Sequence, residues 1–538
     1  MFGKFIKFIF KKSSYKTSSL IDNKRYTEPL QIRIQQNIEA NQAHLKSTLG
    51  KSDDVIFREF ELNTKKTVKV LICFINGIVN LDFINKNIIK SVMEPLELAD
   101  LNGSQFSSRM IKVFKNHILS AAELKEADCM DKVIDAILSG ETALFIDGCD
   151  SALTISTQGF ESRSIEEPKT ESVVRGPREG FTEVLQVNTS LIRRKIKNPQ
   201  LIFENLVLGK QTRTTICVGY LDGIANPQII QEVKQRLNRI DTDAILESGY
   251  IEEFIKDHPY SPFATVGNSE KPDIVVAKLL EGRVAILCDG TPFVLTVPHL
   301  FVENLQNSED YYSLPFLSSG IRLLRFAAFS ISIFTPAFYV AISSFHQEMI
   351  PTVMLITMAA SLEGTPFPAA YEAVLMGIVF ELLREAGVRM PRPVGQAISI
   401  VGALVIGEAA VNAGVVSAPM VIVIAITAIS SFIVTTLYNV IVLFRFFILI
   451  LASTVGVYGI LIGTFILLAH MCSLRSFGAP YLAPVAPIIW NELKDSLIRA
   501  PHWLMKSRPR SITWSDSTRQ RISLKPVPSK PNKEGDDH

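Results

Sequence analysis

The sequence predicts an α/β N-terminal half made of two tandem, related subdomains, followed by a polytopic α-helical membrane domain with a re-entrant element. Three observations carry this expectation. A pair of motifs occurs twice, in the same order, in the first half. Apolar runs at residues 325–345, 418–444 and 446–474 have about the 20-residue length that spans hydrocarbon. A further apolar, glycine-rich stretch follows two prolines and holds a single acid.

At 538 residues the chain has room for two or three domains. A formal net charge of +2 supplies no bulk field for nucleic acid. The six cysteines contain no C-x-x-C pair, which argues against a zinc site or a disulfide framework and fits a reducing compartment. The opening "MFGKFIKFIFKK" lacks the uninterrupted apolar run of a signal peptide. It reads as a short basic, amphipathic arm on an anionic leaflet, and a frayed tail suits it equally. Residues 1–49 are assigned to this arm and a linker.

The repeat is the strongest internal signal. "KVLICFINGIVN" and "TICVGYLDGIAN" each combine a β-type apolar run, a turn dipeptide and a helix start. "ILSGETALFIDG" (Ile137–Gly148) then matches "LLEGRVAILCDG" (Leu279–Gly290), and each precedes a further β run. Subdomain 1 is placed at residues 50–165, and a linker with subdomain 2 at 166–315. Asp147 and Asp289 recur at equivalent turns, where a carboxylate pair competes with ordinary Asp-Gly turn chemistry; the turn is favoured. Arg175 and Arg178, in "RGPREG", resemble an anion cradle but match no phosphate-loop spacing, so a rigid turn is favoured there too. No histidine spacing suits a metal and no hydrolase or kinase motif is present, so no enzyme, cofactor or metal is expected.

In the second half, the last two apolar runs are separated only by Arg445 and are read as a helical hairpin. The basic tail after Trp490 and the absence of an export signal place both termini in the cytoplasm, so full crossings are even in number. Residues 349–387 supply one inward crossing, broken at Gly364-Thr365-Pro366. Parity then makes Val394–Gly414 re-entrant, with its turn near Gly407-Glu408, inside a membrane domain of about four crossings at 316–490. Val401, Gly402, Ala403, Val405, Gly407 and Glu408 are the pore candidates, being small or apolar residues able to pack closely or gate a ring. Simple helix packing explains the same residues equally well. Glu363, Glu372, Glu381, Arg384 and Glu385 are the candidate intramembrane charges, each needing a partner or water. Glu381 and Arg384 are spaced to pair on one helix face. Residues 491–538 read as a basic, disordered tail.

The motifs "SVVRGPREGF", "FENLVLGKQTRTTICVGYLDGIANP", "RIDTDAILESGYIEEFI", "LEGRVAILCDGTPFVLTVP" and "ELLREAGVRMPRPVGQAISIVGALVIGEAAV" resemble the A subunits of GerA-type spore germinant receptors over about residues 50–490. The resemblance implies a multi-pass protein of the endospore inner membrane with both termini cytoplasmic. It also implies a permease-like B subunit as nutrient sensor, a lipoprotein C subunit, and a homo-oligomer of A subunits around a cation pathway. A non-conducting scaffold that docks the sensor and relays its signal is the alternative.

Overall fold

The computed structural model describes residues 32–63, 67–90, 123–159, 167–168, 171, 173–390, 402, 405–490, 492–513 and 518–520. The chain divides into two compact units. A sheet unit comprises residues 1–256, 266–298 and 506–538, and a helical unit comprises 257–265 and 299–505.

The sheet unit contains two five-stranded sheets. The first is built from α1 (Ile38–Leu49), β1 (Val55–Asn63), β2 (Thr67–Ile75), β3 (Leu124–Ala127), α2 (Met130–Leu138), β4 (Glu141–Ile146) and β5 (Ala152–Ser156). The second is built from α3 (Leu185–Lys195), β6 (Leu201–Leu208), β7 (Thr214–Leu221), α4 (Pro227–Asn238), α5 (Ser248–Ile255), β8 (Gly267–Ser269), α6 (Pro272–Leu280), β9 (Val284–Cys288) and β10 (Val294–Val297). Strand orders are β1-β2-β4-β5-β3 and β6-β7-β9-β10-β8, the same path twice. Strand and helix alternate along the chain as expected. All paired strands are antiparallel, however, and for β1–β2, β4–β5, β6–β7 and β9–β10 the short connections, such as Asp147–Ser151 and Asp289–Phe293, can only reverse direction.

The recurring motifs explain the recurring geometry. After β2 and β7, Asn76-Gly77 and Asp222-Gly223 turn the chain with positive φ at both glycines. Asn80 then accepts from the Phe83 N–H at 3.0 Å, and Asn226 from the Gln228 N–H at 2.9 Å, so the last residue of each motif is a helix cap. Gly140 and Gly282 also have positive φ. A Cβ there would approach the carbonyl oxygens of Ile78 and Ile224 at 3.2 and 2.9 Å, the two equivalent residues of the first motif.

The repeat begins earlier than expected. Residues 38–49, assigned above to the linker, form α1, whose Ile38, Leu45 and Leu49 join the core of the first sheet. Helix α3 stands in the same place before the second sheet. Asn41 bonds the backbone of Gln35 in both directions, at 2.9 and 2.6 Å, and Asn188 does the same to Thr182, at 2.8 and 2.6 Å. The tail differs as well. Ile512 is buried, the Arg508 Nε donates to the Leu280 carbonyl at 2.9 Å and the Thr513 hydroxyl to the Glu281 carbonyl at 3.0 Å, so part of the segment expected to be disordered packs on the second subdomain.

A buried ion pair joins the two subdomains. Arg193 of α3 is 1% exposed; its Nε and one terminal nitrogen donate to the two Asp54 oxygens at 3.0 and 2.9 Å. Further bonds reach the Ser52 hydroxyl and the Leu201 carbonyl, both at 3.0 Å, and the guanidinium lies over the Phe203 ring. A bidentate carboxylate, a hydroxyl and a carbonyl together satisfy a group that would otherwise be prohibitive to bury.

The helical unit contains α7 (Pro315–Ser344), α8 (Thr352–Glu363), α9 (Ala369–Arg389), α10 (Ala418–Ile433), α11 (Tyr438–Val455) and α12 (Val457–Ser473). Among the described residues, α7 and Thr435–Val455 are long and apolar enough to cross a membrane, while α8, α10 and α12 are apolar but shorter. The expected hairpin about Arg445 is absent. Arg445 lies within α11, and the breaks fall at Val434 and Gly456. Gly456 has φ +67°, and a Cβ there would come within 2.9 Å of Phe345 and His346, so both conformation and space require glycine.

Two outcomes are expected. Arg193→Ala leaves Asp54 without its buried partner and lowers stability of the full chain by about 3–5 kcal/mol. The joint change Arg193→Met with Asp54→Leu recovers most of that loss in a double-mutant denaturation cycle.

Candidate functional site

Helix α9 brings the informative polar groups together. Its first turn carries Glu372, which is 0% exposed. One carboxylate oxygen accepts from the Ser417 hydroxyl at 2.7 Å and the Ser417 N–H at 3.3 Å. Ser417 precedes α10, so the acid of one helix anchors the positive end of another. The other oxygen, Oε1, is buried with no partner, and the hydroxyl of Tyr339 on α7 lies beside Ser417 in the field of Glu372.

About two and a half turns further along α9, charge is matched. Glu381 pairs with Arg445 of α11, accepts from the Tyr438 hydroxyl, and lies 3.4 Å from Arg384. The Arg384 guanidinium stacks 3.3 Å from the Tyr438 ring centroid. The predicted Glu381–Arg384 neighbour pair is thus present, but the stronger partner is Arg445, only 4% exposed and drawn from a different helix.

A third network lies at the start of α7. Arg322 is fully buried and donates to Asp310 at 2.9 Å and to the Asp495 carboxylate at 2.8 Å, while Arg325 reaches Asp310 at 2.8 Å. Arg325 and Arg499 were assigned above to a helix boundary and a basic tail. Both are internal ligands in this network, Arg499 donating to the Tyr311 carbonyl at 3.1 Å.

Of the pore candidates, Val401 and Ala403 lie outside the described residues, as does most of 394–404. Gly402 is buried, and a Cβ there would meet the Leu383 side chain at 2.8 Å, so it packs on α9. Val405–Ala409 form one π-helical turn that runs into a short helix, Ala410–Asn412. The chain therefore does not turn at Gly407-Glu408. It turns at Gly414, whose φ of +65° permits the reversal and where a Cβ would lie 3.0 Å from the Gly364 carbonyl oxygen. Gly407 and Glu408 are exposed rather than enclosed. Glu363 ends α8 and is exposed, and Glu385 pairs with Arg389 at 2.6 Å on the surface.

The loop candidates are structural in their described contacts. Asp147 accepts from the Ile38 N–H at 3.2 Å and Asp289 from the Leu185 N–H at 3.1 Å, so each holds the start of one helix in its own subdomain rather than forming a pair. Arg175 is exposed, and Arg178 approaches Glu167 at 3.9 Å. The adjacent Glu179 fastens the loop through Arg194 at 2.8 Å and Lys195 at 3.2 Å. None of the six cysteines is in a disulfide, and burial pushes the Cys73 and Cys288 thiols up to about 12, which leaves them protonated and inert. Among the described residues no three or more histidine, cysteine, aspartate or glutamate side chains group together to hold a metal ion.

Tyr339, Ser417, Tyr438 and Arg445 were not singled out from the sequence as site residues. Ser417 carried a signal, since Ser-Ala-Pro marks a helix start. Arg445 carried one too, as a lone cation in a long apolar run.

The pairing on α9 has a measurable consequence. Glu381→Gln strands Arg445 inside the helical unit and lowers stability by about 3–5 kcal/mol, whereas Tyr438→Phe costs about 1 kcal/mol, both read as thermal unfolding of the full chain in detergent. In the sheet unit, Asp147→Ala and Asp289→Ala each remove one cap and cost about 0.5–2 kcal/mol in the same assay.

Comparison with known proteins gives a consistent result. The family model described as Bacillus/Clostridium GerA spore germination protein matches residues 43–511. The chain is 45% identical to spore germination protein KA of Bacillus subtilis (strain 168), over 93% of this chain and 91% of that protein. It is 38% identical to spore germination protein GerLA of Bacillus cereus, over 90% of this chain and 98% of that protein. Among solved structures, the N-terminal domain of the A subunit of the Bacillus megaterium spore germinant receptor GerK3 matches at 32% identity with a TM-score of 0.40, covering 50% of this chain and 97% of that domain. The chain belongs to the GerA family of spore germination proteins.

Proposed function

We propose that this chain is the A subunit of a nutrient germinant receptor in the spore inner membrane, where copies of it assemble around a cation pathway that opens when nutrient is sensed. A permease-like B subunit senses the nutrient, and a lipoprotein C subunit completes the receptor; the A subunit itself is not a catalyst. The observation that carries the reading is α9. It places Glu372 and Glu381 inside a bundle whose outward faces are apolar, with Val353, Ile422 and Phe465 among the large exposed side chains. An apolar exterior around a charged interior suits helices in lipid that handle ions, and it is the reverse of a water-soluble bundle. The π-helical turn at Val405–Ala409 leaves Gly407 and Glu408 exposed in a single chain, where a neighbouring copy can cover them.

The test is ion leakage from dormant spores without nutrient. Val401→Ala, Ala403→Asp and Val405→Ala enlarge or charge the proposed constriction and raise basal potassium efflux at normal receptor abundance. Unchanged efflux across the series, with assembly intact, instead supports the scaffold that relays a signal and conducts nothing.

A further inference from the structure

We infer that Glu372, Tyr339 and Ser417 form a binding site for one monovalent alkali cation, and that its occupancy latches the 405–417 segment to α9. The inference deepens the cation-pathway reading and rests on it for its physiological consequence, while the site itself stands on geometry. Glu372 has no exposed surface, and no lysine, arginine or histidine among the described residues pairs with it. Nine residues along the same helix, Glu381 has two guanidinium partners and a phenol. The difference is one of kind: one acid is neutralised by the fold and the other is left short.

What the fold supplies to Glu372 is partial. Ser417 satisfies Oε2 through its hydroxyl and its N–H, and the positive end of α10 adds about half an elementary charge. Oε1 receives nothing, although its surroundings are closed to solvent. Tyr339 brings a phenol oxygen to the same place from α7, beside Ser417. A buried carboxylate oxygen that no donor meets, next to a phenol and a hydroxyl, offers the oxygen donors that a cation takes. Carboxylate, phenol and hydroxyl are hard donors, which suit alkali and alkaline-earth ions over softer metals. Charge decides between those classes: one carboxylate balances one monovalent ion, whereas a divalent ion leaves a buried surplus of the opposite sign.

The position gives occupancy a consequence. Ser417 closes the turn that follows the short Ala410–Asn412 helix, and Gly414 within that turn meets the Gly364 carbonyl where α8 ends. Two helix breaks therefore adjoin at Glu372. Neutralising the acid strengthens its grip on this junction, and emptying the site loosens the anchor of the 405–417 segment.

The experiment measures thermal unfolding of the purified full chain in detergent, at constant ionic strength, as choline is replaced by potassium or sodium. A saturable rise of a few degrees is expected for the wild type, by linkage of binding to folding. Glu372→Gln keeps the shape and the Ser417 bond but removes the charge; it folds in choline and loses the response. Tyr339→Phe shifts the midpoint to higher cation concentration. A flat wild-type titration, or an equal response in Glu372→Gln, overturns the site. A response to acidification alone, lost in Glu372→Gln, also overturns it by assigning a proton to the acid. None of these outcomes alters the leak measured with Val401, Ala403 and Val405, so the site and the pathway fail separately.

Discussion

Arg193 enters the interior of the sheet unit with a full positive charge, and Asp54, Ser52 and the Leu201 carbonyl meet it there. The same requirement is met at two further buried arginines. Arg322 is held by Asp310 and Asp495, and Arg445 by Glu381. Each match joins segments distant in sequence, because a charge in low dielectric is tolerable only when a counter-charge and directed hydrogen bonds are fixed around it. These pairs act as registers: helices that slid past one another would break them before they lost much apolar contact.

Duplication gives the sheet unit its economy. A helix pinned by an aspartate from the loop after the fourth strand, a strand pair, a glycine turn and a capped helix occur twice. The pinning is local within each copy, so each sheet has a complete set of caps and turns. The Arg193 clamp is the asymmetric addition. It sits on the second copy's first helix and reaches the segment before the first copy's first strand, turning two similar modules into one body.

In the helical unit, matched and unmatched charge lie on one helix. Glu381 is bound tightly to α11 and defines packing, whereas Glu372 is held by a hydroxyl, an N–H and a helix end. A receptor that answers a signal needs an element near balance between two arrangements, and an incompletely neutralised acid beside two helix breaks is a physical basis for one.

The two-fold repeat, its strand-turn-helix order, the glycine and asparagine positions and the apolar character of the second half were all legible in the sequence, because they depend on local conformation and on composition. The repeat's true start was not, since α1 and α3 share almost no residues and are equated by their contacts: Asn41 and Asn188 bond the backbone six residues earlier, and Asp147 and Asp289 hold the two helix starts. Arg445 was visible as a charge but misplaced as a loop: a helix and a hairpin have the same sequence there until a carboxylate 64 residues away is brought beside it. Glu372 was recognised as a charge in need of a partner. That it is wholly enclosed, capping a helix 45 residues downstream with one oxygen idle, was decided only by tertiary structure. Local propensity acts over a few residues, whereas the cost of burying a charge is set by whatever the fold brings around it.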